Sequence, residues 1–152
     1  MCLGNICRSP MAEAIFRHLI HENHLSEHIK TDSAGIGPWH VGETPHRGTR
    51  DILDANSISY EGMEGRQMSA NDFHHFDYVV AMDTSNVDHL YNLAEDDDTD
   101  LFKLMDFVED QKGEDVPDPY MTGNFEHVYG MVDKGCRGLF EYICTQEGLP
   151  KN

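Results

Sequence analysis

The stretch Cys2-Leu3-Gly4-Asn5-Ile6-Cys7-Arg8-Ser9-Pro10-Met11-Ala12-Glu13-Ala14 passes from a glycine-containing loop directly into a helix. Ser9 followed by Pro10 marks a helix start, a hydroxyl cap and then a proline in the first turn. Behind them Met11, Ile15 and Leu19, with Ala12, Phe16 and Ile20, repeat at helical spacing, which predicts a helix running to about Asn23. A loop that leads from a strand into a helix leaves backbone N–H groups unpaired at the helix start, and with the helix dipole they cradle an anion. Gly4 permits the tight turn.

Downstream, strand-like and helix-like segments alternate. Ile29 to Ser33 reads as a short strand ending in the turn Ala34-Gly35-Ile36-Gly37-Pro38. Thr44 to Ala55 reads as a helix, with Pro45 early and Ile52 and Leu53 on its buried side. Tyr78-Val79-Val80-Ala81-Met82 is an apolar run of strand length between Asp77 and Asp83, suited to a parallel strand buried on both faces. Asn86 to Leu93 reads as a short helix, 95–100 as a solvated acidic loop, Leu101 to Phe107 as a further strand, and Glu109 to Tyr120 as a polar loop. Phe125, Val128, Val132, Cys136, Leu139 and Ile143 then fall at steps of three and four, predicting a long amphipathic helix that Gly130, Gly135 and Gly138 weaken locally. This alternation argues an α/β fold, an open parallel sheet with helices on both faces, and ligands in such folds sit beyond the carboxyl ends of the strands. The opening loop belongs there.

The chain of 152 residues is expected to form one domain over 1–152, enough to bury about 70% of its unfolded surface. With 11 Lys+Arg against 28 Asp+Glu its formal net charge is −17, which opposes non-specific binding to nucleic acid or to an anionic membrane. A bound anion therefore requires a local positive pocket. Without an apolar leader or an 18-residue apolar run, the expected compartment is the cytoplasm, and the cysteines at 2, 7, 136 and 144 are expected to be reduced.

Cys2 at the floor of the cradle would be favoured as thiolate by the same N–H groups and by the Arg8 guanidinium. The planar fork of Arg8 can grip two oxygens of a phosphoryl group, which Lys could not do in the same manner. Ser9 could donate its hydroxyl to the thiolate, or be only a helix cap. A thiolate attacking phosphorus also needs an acid for the leaving oxygen and later a base for water. Asp118, in Val116-Pro117-Asp118-Pro119-Tyr120, is the candidate; read alone it is an ordinary Asp-Pro turn.

Together these residues resemble the low-molecular-weight protein tyrosine phosphatase family. The likeness is carried by CLGNICRSPMAEA at 2–14, DSAGIGPWHVGETPHRGT at 32–49, GRQ at 65–67, FDYVVAMDTSN at 76–86 and DPYMTGNFEHV at 118–128, in matching order and spacing. The resemblance implies a three-layer sheet of four strands in the order 2-1-3-4. It implies hydrolysis of phosphotyrosine through a cysteinyl-phosphate, with Cys2 as nucleophile, Arg8 as phosphate clamp, Asp118 as acid and then base, and neither metal nor cofactor. Leu3, Gly4, Asn5, Ile6, Cys7 and Ser9 would form the phosphate loop, with Asn5 and Ser33 shaping it by hydrogen bonds, and Trp39 and Tyr120 would line the slot for the aromatic ring. The substrate partner would be a phosphotyrosine protein or a small aryl phosphate. Cys7 would be placed for a reversible disulfide with Cys2.

The sequence departs from the family pattern at Met121, where a second aromatic is common, and at Met63, where a His is common. The larger departure is at the front, since family members carry an apolar strand of about five residues before the nucleophile and Met1 stands there instead. Losing such side chains would cost roughly 1.5 to 3 kcal/mol each, against a typical stability of about 5 to 15 kcal/mol. Either the start lies upstream of Met1, the favoured reading, or the chain is truncated, and protein beginning at this Met is expected to fold poorly and act weakly.

Three alternatives stand beside the phosphatase. An arsenate reductase would use the same loop but needs resolving cysteines, and Cys136 and Cys144 sit in the last helix without such a motif. A metal module is suggested by His18, His21, His24 and His28, of which only His18 and His21 are expected to share a face. The third is a catalytically silent anion-binding form.

Overall fold

A computed structural model describes residues 1–94 and 101–150; the acidic segment 95–100 lies outside the described residues. Helix α1 (Arg8–Glu22) forms from the period already noted and buries Met11, Ala14, Ile15, Leu19 and Ile20 along one stripe. Its N-cap is Cys7, two residues before the position expected from Ser9-Pro10, and no side chain caps it. Helix α2 (Arg47–Ala55) starts after Pro45, with the His46 side chain accepting the Gly48 N–H at 3.0 Å as cap. A short helix α3 (Asp72–His75), not anticipated from the sequence, precedes strand β1 (Val79–Ala81). Helix α4 (Thr84–Ala94) and strand β2 (Leu101–Lys103) follow. The expected strand to Phe107 stops at Lys103, because Leu104–Phe107 coils into a 3-10 turn that buries Leu104 and Met105 against the last helix.

After the four-residue α5 (Pro119–Thr122) comes α6 (Phe125–Glu147), which ends at Gly148 in the left-handed conformation (φ 64°). Its buried Val128, Val132, Cys136, Leu139 and Ile143 face α1, where Phe16 and Phe140 meet edge-on with ring centroids 6.0 Å apart. Two glycines expected only to weaken α6 have a packing reason. A Cβ on Gly138 would fall 2.1 Å from the Phe107 carbonyl oxygen, and one on Gly135 would fall 2.4 Å from Leu104 Cγ. Their absent side chains let the 3-10 turn lie directly on the helix.

β1 and β2 pair in parallel, Val79 with Leu101 and Ala81 with Lys103. On the other side of β1, the Met1 amino group donates to the Val80 carbonyl at 2.7 Å and the Met82 N–H donates to the Met1 carbonyl at 3.2 Å. Cys2 in turn bridges Gly35 in parallel, and Gly35 bridges Gln67. Across the sheet the order is therefore Gln67, Gly35, Cys2, β1, β2. The α/β class holds, but only two regular strands exist among the described residues. The expected strand Ile29–Ser33 forms no ladder: its backbone bonds are local, the Ile29 N–H donating to the Leu25 carbonyl at 3.0 Å and the Ser33 N–H to Asp32 Oδ1 at 2.9 Å, and pairing with another segment begins at Ala34.

Helices cover both faces. The larger core joins α1, α2 and α6 with Met82, Leu104 and Met105, and the smaller gathers Ala34, Met68, Phe73, Val79, Ala81 and Leu90 from the opposite face, with α3 and α4. Side chains of β1 alternate between the two, as a strand buried on both sides must. The carboxyl ends of β1 and of the Met1-Cys2 pairing open toward the loop that precedes α1.

Candidate functional site

The loop of residues 2–7 is held by one asparagine. Asn5 adopts φ 56°, a left-handed conformation that Asn tolerates better than most residues. Its side chain is fully engaged: Nδ2 donates to Ser9 Oγ at 2.8 Å and to Ser33 Oγ at 2.9 Å, while Oδ1 accepts the Arg66 N–H at 2.9 Å. The Ser33 hydroxyl then donates to Glu13 Oε1 at 2.5 Å. Because Ser9 Oγ already accepts from Asn5, its own proton is free to point at Cys2 Sγ, 3.0 Å away. Ser9 thus faces the sulfur rather than capping the helix. Burial raises the Glu13 carboxyl above its usual range, opposed by the Ser33 hydroxyl.

Arg8 lies beside this loop and is only 2% exposed. Its Nη1 donates to Asp83 Oδ2 at 2.6 Å and to the Val116 carbonyl at 2.8 Å, and its Nη2 stands 3.7 Å from Asp118 Oδ2. Its Nε is buried and has no hydrogen-bond partner among the described residues. Asp83 closes β1 and also accepts the Asn86 N–H at 2.8 Å, so the end of the strand, the start of α4 and Arg8 are one assembly. The Val116 N–H donates to the Met82 carbonyl at 2.9 Å, which ties the loop carrying Asp118 to the same strand end. Asp118 caps α5 through Oδ1, accepting the Tyr120 N–H at 3.0 Å, and leaves Oδ2 toward Arg8.

At the rim Leu3, Trp39 and Tyr120 are 45%, 64% and 55% exposed. The Trp39 ring lies on Gly37, where a Cβ would meet it at 2.0 Å. The Tyr120 ring sits 6.0 Å from His40 and 5.6 Å from His46, and His46 stacks on Phe125 at 5.2 Å. Cys7 points inward, buried and free; burial pushes its thiol up to about 12, with Cys2 and Asp118 adding to the rise. Gly4 sits under the His40 ring, and the Ile6 carbonyl accepts the His46 N–H at 2.7 Å.

The structure thus brings Cys2, Arg8, Ser9 and Asn5 together with Ser33 and Asp118, and sets Trp39 and Tyr120 at the mouth. Sequence reasoning missed Asp83, Glu13, His40 and His46. Asp83 carried a signal, since it follows directly on an apolar strand whose carboxyl end faces the site. Met63, one of the departures from the family pattern, is buried in the larger core. Among the described residues no group of three His, Cys, Asp or Glu is placed to hold a metal, and His18 pairs with Glu22. No helix of the described residues is long and apolar enough to cross a membrane.

The family model described as low molecular weight phosphotyrosine protein phosphatase matches residues 1–148. The low molecular weight protein-tyrosine-phosphatase YfkJ of Bacillus subtilis is 51% identical over 150 residues, covering 98% of this chain and 96% of its own. PtpA of Staphylococcus aureus, of the same description, is 46% identical over 149 residues, covering 98% and 94%. In three dimensions the chain is similar to the crystal structure of YfkJ, with a TM-score of 0.91 at 50% identity over 95% of this chain and 92% of that one. The protein tyrosine phosphatase of Entamoeba histolytica gives a TM-score of 0.85 at 35% identity, covering 97% and 94%.

Proposed function

The chain belongs to the low molecular weight phosphotyrosine protein phosphatase family, and on that premise we propose that it is a cytoplasmic protein tyrosine phosphatase, a single catalytic domain that hydrolyses phosphotyrosine by way of a cysteinyl-phosphate. The Cys2 thiolate attacks phosphorus in line with the phenolic oxygen, the S–P bond forming as the P–O bond breaks. Asp118 Oδ2, on the Arg8 side of the site, gives its proton to the departing phenolate oxygen. The resulting carboxylate takes a proton from water as that water attacks phosphorus, and the S–P bond breaks to release phosphate. The Ser9 hydroxyl, 3.0 Å from Sγ, donates to the sulfur as it regains negative charge.

One observation supports this reading: a buried guanidinium fixed by Asp83 and the Val116 carbonyl, whose Nε, beside the Cys2 loop, has no partner among the described residues. Leaving a buried donor unpaired costs about 1 to 3 kcal/mol, a cost a phosphoryl oxygen relieves. With Nε and Nη2 available, Arg8 can bind two oxygens side by side. Trp39 and Tyr120 offer exposed rings to the substrate's aromatic ring.

The test is hydrolysis of phosphotyrosine against phosphoserine peptides, with Cys2→Ser and Arg8→Lys alongside. The reading expects turnover of phosphotyrosine only, abolished by Cys2→Ser and cut by at least about a hundredfold by Arg8→Lys, since Lys lacks the bidentate fork. Turnover surviving Cys2→Ser would defeat it.

A further inference from the structure

The turn that leads into α2 is tied to the phosphate loop through its backbone and to the mouth of the site through one side chain, that of His46. The His46 N–H donates to the Ile6 carbonyl at 2.7 Å, and the Thr49 hydroxyl donates to the Cys7 carbonyl at 3.2 Å. The imidazole does two further things. Nδ1 accepts the Gly48 N–H at 3.0 Å as the cap of α2, so the neutral ring carries its proton on Nε2. The ring stacks on Phe125 at 18° with centroids 5.2 Å apart, and meets Tyr120 edge-on at 76° and 5.6 Å.

The two partners of this ring are placed very differently. Phe125 opens α6 and packs against the larger core. It also lies so close to α2 that a Cβ on Gly48 would fall 2.4 Å from its ring, so the bare glycine is what lets Phe125 back the imidazole. Tyr120 is 55% exposed and rides on α5, whose four residues are too few for a helix to hold itself. Its ring meets two imidazoles, and that of His40 stands farther off, at 6.0 Å, in the exposed turn beside Val41 with its Nδ1 bonded to Glu43. The firm contact is His46, pinned by its cap bond and by the face of Phe125.

We propose that His46 sets the aromatic specificity of the site as a positioning residue: it holds the Tyr120 ring in a fixed place at the mouth, where that ring walls the aryl group of a phosphate monoester. The inference rests on the phosphatase reading above and adds to it the residue that makes the site selective for a ring. The phosphoryl group is left to Arg8 and the loop, and the loop is joined to His46 by backbone bonds that a change of side chain leaves in place. The imidazole therefore acts on the ring of the substrate and not on its phosphate. An edge-on aromatic pair shifts an equilibrium by about three- to tenfold.

Two substitutions separate the ring from the cap. His46→Asn keeps an oxygen for the Gly48 N–H and removes the ring; His46→Phe keeps a ring to stack on Phe125 and meet Tyr120, and removes the acceptor. Each is made in Cys2→Ser protein, and the Kd values of phenyl phosphate and of methyl phosphate are read by NMR titration of the backbone amides of residues 3–7. His46→Asn is expected to weaken phenyl phosphate by about three- to tenfold while methyl phosphate stays within about twofold, and His46→Phe to hold phenyl phosphate within about twofold of the His46 protein. Equal weakening of both ligands by His46→Asn, an unchanged phenyl phosphate Kd, or a His46→Phe protein as weak as His46→Asn would each overturn it. No turnover enters these constants, so a parent enzyme that failed to hydrolyse phosphotyrosine would strike the phosphatase reading alone, while the ratio of the two Kd values decides the role of His46.

Discussion

The loop at Cys2 and the cavity of about 630 Å³ that Met1 lines meet at one peptide bond and are built by different means. In the loop, polar side chains close on one another: Asn5 spends both amide hydrogens and its oxygen, and Ser9, Ser33, Glu13 and the Arg66 backbone complete the set. In the cavity, apolar side chains such as Phe16, Met68, Leu139 and Ile143 stand beside charged ones such as Glu13, Asp32 and Arg66. The difference teaches that the geometry around Cys2 is carried by a side-chain network anchored in α1 and the 33–36 turn, and by Arg8 tied to the end of β1.

The most severe break falls on the loop alone. Cys2→Ser is expected to lower kcat by at least about 10⁴-fold, as loss of a nucleophile does, while leaving Tm nearly unchanged, because the serine hydroxyl can keep the contact with Ser9. Steady-state kinetics and a melting curve check both halves.

Asp118→Asn should come next, costing about 10² to 10⁴-fold on phosphotyrosine, the usual size of a general acid–base contribution. Its effect should shrink with an aryl phosphate whose leaving group needs no proton, since Asp118 otherwise does little beyond capping the four-residue α5. Comparing the two substrates separates the proton from the cap.

Asn5→Ala joins the two kinds of damage. It leaves partners on Ser9, Ser33 and Arg66 unmet and places Ala at φ 56°, so unfolding should cost about 2 to 4 kcal/mol less than in the parent, with kcat falling at least about tenfold. Denaturant titration beside kinetics tests whether stability and turnover fall together, as a shared network requires.

The smallest effect belongs to Met1, on the cavity side. Loss of solvation pulls the Met1 amine from 8.0 to about 6 in the fold. Between those values the unfolded chain binds more protons than the folded one, so stability should rise with pH from about 6 to 8, by at most about 2 to 3 kcal/mol. Acetylating the terminus, which keeps an N–H for the Val80 carbonyl, should flatten that slope; denaturant titrations at pH 6, 7 and 8 measure it.

Periodicity made α1, α2, α4 and α6 legible because each buries a stripe against a core, and the apolar run at 78–82 announced β1. Cys2, Arg8 and Asp118 were legible because the chemistry demands those types at a helix start and on a stiff loop. Ile29–Ser33 reads like a strand, yet strand structure is a property of pairs, and no single segment reports whether its neighbour is in place. Leu104–Phe107 left the sheet because Gly135 and Gly138 let it dock on α6, a contact across more than thirty residues. Glu13, His40 and His46 reach the site through tertiary packing, and local spacing carries little trace of that, whereas Asp83 was signalled by its place just after the apolar run. Ser9 was read with two roles open, and only the direction of the Asn5 donors chose between them.

The account stands on a thiolate at Cys2 attacking phosphorus, and rapid quench of Asp118→Asn with phosphotyrosine peptide, followed by peptide mapping in the mass spectrometer, tests it most directly. The account predicts a phosphoryl group on the peptide that contains Cys2, absent from Cys2→Ser. Phosphate found on another residue, or steady turnover by Cys2→Ser with no covalent phosphoenzyme, would contradict it.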